Sequence, residues 1–553
     1  MGKSGKVKRG LGWAAGAWLA WVTVAAAGPV QFKEVAKEAG IDFVHHTGAA
    51  GDKRMPETYG AGVAFLDYDY DGDQDLYFVD SGDLVKGRGN AGNRLYRNEG
   101  KGRFVEATAA GVPGRDYGMG VLAGDCDNDG DQDLYLANLG QDQFYRNQGD
   151  GTFTDATRQA GLGQRGWATS AAFLDYDNDG DLDLYVANYV DYQVENNPWC
   201  GRRDLDLRFY CDPREFKPLQ DVLYRNNGDG SFTDVTRQAG ILQPGNEGNG
   251  LGVVCGDYDN DGDVDIYVAN DMNPNYLFEN KGNGRFEEIG LLSGAALSAD
   301  GMSHAGMGTD AGDYDNDGDL DLCVANFQLE NNYLFRNDGN NTFTEVSYKT
   351  GIGQISINYL GFGFGFLDYD NDGWLDLFVT NGHVHDNIAE FDPLATYAQR
   401  SQVFRNERNG RFTEQTANLG PGLAAEYVGR GAAFADYDLD GDEDIAVLNS
   451  GRPAVLLRND GGNAGHWLQV ELEGRKSNRD AVGARIFLTA GGLRQLRQVA
   501  LGSRYHSTSQ KAVHFGLGSS QRVERLEIRW PSGKVQVLQD LAADRKLSIV
   551  EPE

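Results

Sequence analysis

Seven times along the chain a short alternating apolar stretch, such as Gly62-Val63-Ala64-Phe65-Leu66, runs into an aspartate-rich nonapeptide. A second such stretch follows each nonapeptide, for example Leu184-Tyr185-Val186-Ala187-Asn188. Period two on both sides predicts strands and not helices. Further along most repeats comes a block like Leu223-Tyr224-Arg225-Asn226-Asn227-Gly228-Asp229-Gly230-Ser231-Phe232-Thr233, two more strands around a Gly-Asp-Gly tip. The glycines there supply the positive φ that a tight hairpin needs. One repeat is therefore a four-stranded antiparallel sheet, too small to bury its own faces. Copies arranged radially as propeller blades solve that problem.

The ends of the array predict how it closes. The seventh repeat reaches Val455-Leu456-Leu457-Arg458-Asn459 but lacks the phenylalanine-containing fourth strand of the other six; a matching piece stands before the first repeat, around Phe32. An N-terminal strand that completes the last sheet leaves no open edge. The expected fold is all-β: a seven-bladed propeller over residues 28–462, followed by a small antiparallel β-sandwich over residues 463–553.

The nonapeptide is Asp-x-Asp-x-Asp-Gly-x-x-Asp. Its first, third, fifth and ninth positions are Asp67, Asp69, Asp71 and Asp75; Asp125, Asp127, Asp129 and Asp133; Asp175, Asp177, Asp179 and Asp183; Asp257, Asp259, Asp261 and Asp265; Asp313, Asp315, Asp317 and Asp321; Asp368, Asp370, Asp372 and Asp376; Asp436, Asp438, Asp440 and Asp444. Three carboxylates converge in a tight loop, the sixth-position Gly permits the turn, the seventh residue offers a carbonyl and the ninth Asp closes the shell. Hard oxygen donors in that number suit Ca²⁺, and no His or Cys stands at a ligand position to suit zinc. Phe78 at position 12, where an EF-hand needs glutamate, excludes that motif. Trp374 at position 7 of the sixth loop changes only a residue expected to ligate through its backbone. About seven structural Ca²⁺ ions are expected.

Composition sharpens this picture. The 553 residues include 83 acidic ones and carry a formal charge of −33. So acidic a chain argues against nucleic acid or an anionic membrane surface as partner. Residues 1–27 read as basic, apolar and small-residue regions in turn, the layout of a cleaved signal peptide, with no membrane span expected after cleavage. Export makes Cys200 and Cys211 a candidate disulfide, with Cys126, Cys255 and Cys323 as buried thiols. The expected location is secreted, periplasmic or at the cell surface.

Aspartate loops and Gly-Asp-Gly tips fall on one face of such a propeller. On the other fall three long connections, residues 81–94, 189–222 and 382–402, the usual place for function on a rigid scaffold. The second carries Tyr192, Glu195, Trp199, Arg202 and Arg203, aromatic and charged groups suited to a sugar or a protein loop; the third carries His383 and His385 beside Asp386, a pair that needs a further ligand to hold a transition metal. His45, His46 and Glu57 lie before the first blade and can approach the same face. Residues 503–510 are polar enough to bind a ligand, but read better as a solvated loop. From residue 463 onward the chain has 14 Lys or Arg against nine Asp or Glu, net +5, a charge suited to docking on the acidic propeller or to recruiting an acidic partner.

The repeats resemble the FG-GAP or VCBS repeats of integrin-α-type propellers. Asn478-Arg479-Asp480-Ala481-Val482-Gly483-Ala484-Arg485, with Val513-His514-Phe515-Gly516-Leu517-Gly518 and Trp530-Pro531-Ser532-Gly533-Lys534, resembles the ASPIC/UnbV domain. Together they resemble bacterial relatives of cartilage acidic proteins, which implies Ca²⁺ binding, export and an adhesive or matrix role. The function expected is a secreted calcium-binding module for an extracellular glycan or protein. Two alternatives are a polysaccharide-cleaving enzyme using Asp191, Glu195 or Glu57, and a structural part of an envelope or matrix assembly. No HExxH, nucleophile elbow, P-loop or Cys-His arrangement points to catalysis. Oligomeric state is not legible.

Overall fold

The computed structural model describes residues 1–2, 29–86, 92–243, 245, 248–502 and 504–553. The expected signal peptide lies almost entirely outside them. No helix among the described residues is long and apolar enough to cross a membrane.

Seven four-stranded antiparallel sheets make up the propeller, and their innermost strands contact one another in sequence around a closed ring. The first sheet runs Val63–Leu66, Asp75–Phe78, Arg94–Asn98 and Phe104–Glu106. Those innermost strands are almost wholly buried, which is why they read as continuous apolar and glycine runs. The last sheet holds Gly429–Ala435, Asp444–Asn449 and Val455–Asp460 and is completed by Gln31–Glu34, with Phe32 opposite Asn459. The second and third sheets are joined where Arg165–Leu174 pairs with Asp133–Gln141, so they form one eight-stranded unit.

A second layer of order comes from side chains between sheets. The tyrosine at position 2 of a loop packs on the fourth-strand phenylalanine of the next sheet, as in Tyr68 on Phe153, Tyr176 on Phe286 and Tyr437 on Phe104. Phe32 makes the same contact with Tyr369, so the N-terminal strand supplies the missing member of the set.

The C-terminal domain is a two-sheet sandwich around Leu468, Ile486, Leu526 and Trp530. It departs from the expected all-antiparallel form at one pair. Arg545–Val550 runs parallel to His466–Glu473, because the chain reaches it by crossing from the other sheet and not by a hairpin. The three unpaired cysteines are buried, and Cys200 and Cys211 form a disulfide.

Candidate metal centres and ligand face

Each aspartate loop is wound around its own carboxylates. Asp67 Oδ2 accepts from the N–H of Gly72, and Asp71 Oδ1 from the N–H of Asp73, at 3.1 and 3.0 Å. Gly72 sits at φ +93°, which only glycine adopts without strain. The ninth-position Asp75 is a clamp: one oxygen accepts from Tyr68 N–H and the other from Asn98 N–H, at 3.1 and 2.7 Å, which ties the loop to the third strand. Trp374 keeps the turn, its N–H donating to Asp372 Oδ1 at 2.9 Å.

Unpartnered carboxylate oxygens recur most regularly at the third position. One oxygen of each of Asp69, Asp127, Asp177, Asp315, Asp370 and Asp438 is buried with no hydrogen-bond partner. In the first loop, oxygens of Asp67, Asp69 and Asp71 lie within 4.8 Å of one another; in the third, oxygens of Asp175, Asp177 and Asp183 do so. Burial, reinforced by neighbouring loop carboxylates, pushes these acids up from 3.8: Asp75 to about 8, Asp175 and Asp436 to about 7. A buried, unpaired carboxylate oxygen among other carboxylates fits a hard cation. The residues at positions 1, 3 and 5 would hold Ca²⁺, with position 9 completing the shell where it is close enough.

Two belts that the sequence reading missed stitch the loops together. In the third strand, the asparagine of the recurring Arg-Asn or Glu-Asn pair donates its side-chain N–H to the position-2 carbonyl of the preceding sheet: Asn147 to Tyr68, Asn280 to Tyr176 and Asn406 to Tyr314, at 2.9, 2.8 and 2.8 Å. The position-4 asparagine reaches the position-7 aspartate of the next loop, as Asn128 does to Asp181 and Asn178 to Asp263. Where that aspartate is Trp374, Asn316 turns to the Gly373 carbonyl instead. Recurrence of both asparagines was the available signal.

The sandwich docks on this loop face. Asp480 accepts from Asp125 N–H at 2.8 Å, the Arg485 guanidinium pairs with Asp257 at 2.8 Å with both side chains buried, and His514 bonds Asn371 at 2.6 Å. Of the two roles left open for the basic domain, the structure shows docking.

Residue 503 lies outside the described residues; residues 499–502 and 504–512 enter the central channel, so the described part of 503–510 is not the solvated loop expected. Its backbone pairs with the innermost strands: Phe173 N–H donates to the Leu501 carbonyl, Val121 N–H to His506, Phe65 N–H to Thr508, and Thr508 N–H to Val63, all at 3.0–3.1 Å. Tyr505 is fully buried and donates its hydroxyl to the Tyr59 carbonyl, under the opposite face. Glycines in the innermost strands make the room: a Cβ at Gly62 would overlap the His506 carbonyl, and one at Gly431 the Ser507 hydroxyl.

On that opposite, upper face the long connections meet. The disulfide hairpin Cys200–Arg202 and Leu207–Phe209 leans on the 382–402 connection, where Phe209 packs on Phe391 and Tyr210 stacks on His385. Tyr210 also donates to buried Glu57 at 3.3 Å. His385 joins these aromatics, whereas Tyr192 and Glu195 line a separate groove of about 510 Å³ with Asp191 and Tyr117. Arg203 stacks on Trp199, and Arg202 pairs with Asp204 in the open. In the histidine pair, His383 is buried and its Nδ1 accepts from His385 N–H, while Asp386 is engaged by Lys53. His45 and His46 are bonded to Ser81 and Asp80.

A second cavity, of about 370 Å³, lies at the centre of this face between the disulfide hairpin and the loops of the fourth and fifth sheets; Asp271, Met272, Phe327, Glu330 and His385 are among its walls. Asp271 is buried, and its Oδ2 accepts from the hydroxyls of Tyr189 and Tyr59, at 2.5 and 3.4 Å. Burial, then the Glu330 and Asp212 charges, pushes Asp271 up to about 7. Neither Asp271 nor Glu330 stood out in the sequence, since a lone acid after a strand carries no motif.

The model of FG-GAP-like repeats matches six stretches, which together span residues 67–186, 217–379 and 392–447, and the model described as ASPIC and UnbV matches residues 474–553. The chain belongs to the FG-GAP-like repeat family. It is similar to cartilage acidic protein 1 of Mus musculus, 25% identical over 524 residues that cover 90% of this chain and 74% of that one. It is also similar to cartilage acidic protein 1 of Xenopus tropicalis, 30% identical over 294 residues, or 52% of this chain and 42% of the relative. Among solved structures, this FG-GAP-like chain is similar to an Agrocybe aegerita lectin recognising non-reducing terminal N-acetylglucosamine, at 17% identity and a TM-score of 0.39, covering 64% of this chain and 79% of the lectin. A rhamnogalacturonan lyase of Bacillus licheniformis aligns at 13% identity and a TM-score of 0.36, over 77% of this chain and 75% of the lyase.

Proposed function

We propose that this protein is an exported, calcium-stabilised binding module that takes an extracellular glycan or protein on its upper face. The observation that carries the reading is the asymmetry of the two faces. The loop face is covered by the sandwich, and the channel is filled by residues 499–502 and 504–512. The upper face carries the described residues of all three long connections, a disulfide hairpin and two open cavities. Rigid support beneath variable connections is how binding loops are built on scaffolds. Seven Ca²⁺ ions, one per aspartate loop, neutralise the loop face and support the rim on which the sandwich sits. Similarity to cartilage acidic protein 1 and the disulfide support the extracellular setting.

Asp271 and Glu330 share one cavity, the arrangement an acid–base pair would need, so polysaccharide cleavage is the second reading. Glycan and extracellular-protein arrays probed with calcium-loaded protein, with product analysis on every glycan retained, test both. Retention without cleavage, weakened by substitutions at Trp199 and Arg203, is the expected result; new reducing ends would favour the enzyme. Retention that survives those changes and also substitutions lining both cavities would contradict an upper-face ligand.

A further inference from the structure

Resting on the upper-face reading, we propose that the cavity between the disulfide hairpin and the fourth- and fifth-sheet loops binds an organic ammonium group, held by the Asp271 and Glu330 carboxylates against an aromatic and thioether wall.

The lining decides the charge of the ligand. Asp212, Glu215, Asp271 and Glu330 face the cavity, and no Lys or Arg is among the described residues that line it. Asp212 is paired with Arg214, but no ion pair engages Asp271 or Glu330 among the described residues. Asp271 is 3% exposed and has only tyrosine hydroxyls on its Oδ2; Glu330 is fixed by the N–H groups of Ala305 and Phe327, at 2.9 and 3.3 Å. His304 acts electrostatically on Glu330 and Arg214 on Asp271, but neither forms an ion pair with them among the described residues, so two pre-set carboxylates at one wall suit a further cation. A neutral sugar hydroxyl would leave that charge unmatched.

The rest of the wall decides what carries the cation. Met55, Met272, Met307, Phe209 and Phe327 give it polarizable thioethers and aromatic faces, which suit an alkylammonium and not a hydrated metal ion. Met272 is held at φ +63°, a strained conformation for a side chain with a Cβ, directly after Asp271. The same region already holds one ammonium: Lys53 Nζ stands 5.2 Å from the centre of the Tyr210 ring, its charge matched by Asp386. About 370 Å³ accommodates an ammonium on a short apolar stem, whether a free amine or a lysine side chain of a partner.

Calorimetry on the full calcium-loaded chain with n-butylammonium, tetramethylammonium, Nα-acetyl-lysine methylamide and neutral 1-butanol tests this. Binding of at least one ammonium about tenfold tighter than 1-butanol is expected, with at least a tenfold loss in Asp271→Asn, which keeps the acceptor for the two tyrosines. Glu330→Gln is the second variant should Asp271→Asn unfold, each checked by its thermal transition. Preference for the lysine amide identifies a partner side chain, and preference for either simple ammonium identifies a free amine. Equal binding of butanol and the ammonium ions, no binding of any of them, or wild-type affinity in both folded variants would overturn the proposal. An array ligand retained equally by both variants would leave the upper-face reading standing and remove only the ammonium.

Discussion

The side-chain amide of Asn98 donates to the backbone carbonyl of Tyr437 at 2.8 Å, a bond between residues 339 positions apart in the chain. Asn98 belongs to the first sheet and Tyr437 to the loop of the seventh, so this contact is one of those that close the ring. The same amide holds the Gln74 carbonyl at 3.2 Å, and the Asn98 side chain is fully buried. Asn98→Ala strands two buried carbonyls and should cost about 1–3 kcal/mol. Arg97→Ala, its exposed neighbour, should change stability by about 0.5 kcal/mol or less. Urea unfolding of the calcium-loaded proteins measures both, and equal effects would show that the asparagine belt does not close the propeller.

The channel segment makes a second prediction. Tyr505 is fully buried between Phe362 and Tyr59, so Tyr505→Ala should cost about 3–5 kcal/mol through the space it leaves. Gly62→Val should act on the same contact from the strand side, by displacing the His506 carbonyl. Limited proteolysis should then cut within residues 499–512 in both variants and leave the wild-type segment intact. Cleavage of the wild type at the same rate would mean that the segment does not reside in the channel.

Metal-free protein should respond to pH in the sense opposite to most acidic proteins. Burial raises Asp75 to about 8 and Asp175, Asp313 and Asp436 to about 7, from 3.8 in the unfolded chain. Folding therefore favours the protonated acids; their contribution is complete below about pH 4 and is lost as pH rises through about 7 to 8. In EDTA the melting temperature should fall between pH 5 and 8. Calcium needs the ionised carboxylates, so its stabilisation should grow over the same interval. Melting curves at pH 5, 6, 7 and 8, with and without the metal, check this; a constant difference would separate the loop acids from calcium binding.

Most of the architecture was legible because it repeats. The aspartate loops mark the turn between the first two strands, the Gly-Asp-Gly tips mark the second hairpin, and Phe32 betrays the displaced strand. What repetition could not convey was the contact between unlike parts. Residues 504–510 look solvated in isolation because their polar partners, backbone and side-chain groups of the channel strands such as Ser170, Asp310 and Phe434, come from distant parts of the chain. The glycines at Gly62, Gly120 and Gly431 were visible, but their reason, room for that segment and for the neighbouring innermost strand, was not. On the upper face, the cysteine pair and the clustering of Tyr210 with His385 follow from the long connections, whereas Asp271 gains its meaning only from Tyr59 and Tyr189 converging on it from other sheets.

The central claim is that seven aspartate loops hold calcium and that the fold depends on it. Thermal unfolding of the protein in EDTA and in millimolar Ca²⁺, with bound metal counted by elemental analysis, tests it most directly. About seven Ca²⁺ per chain and a large rise in melting temperature are the predicted result. A count near zero with no shift would contradict the account, and the unpaired oxygens of Asp69 and its counterparts would then have to be satisfied by water.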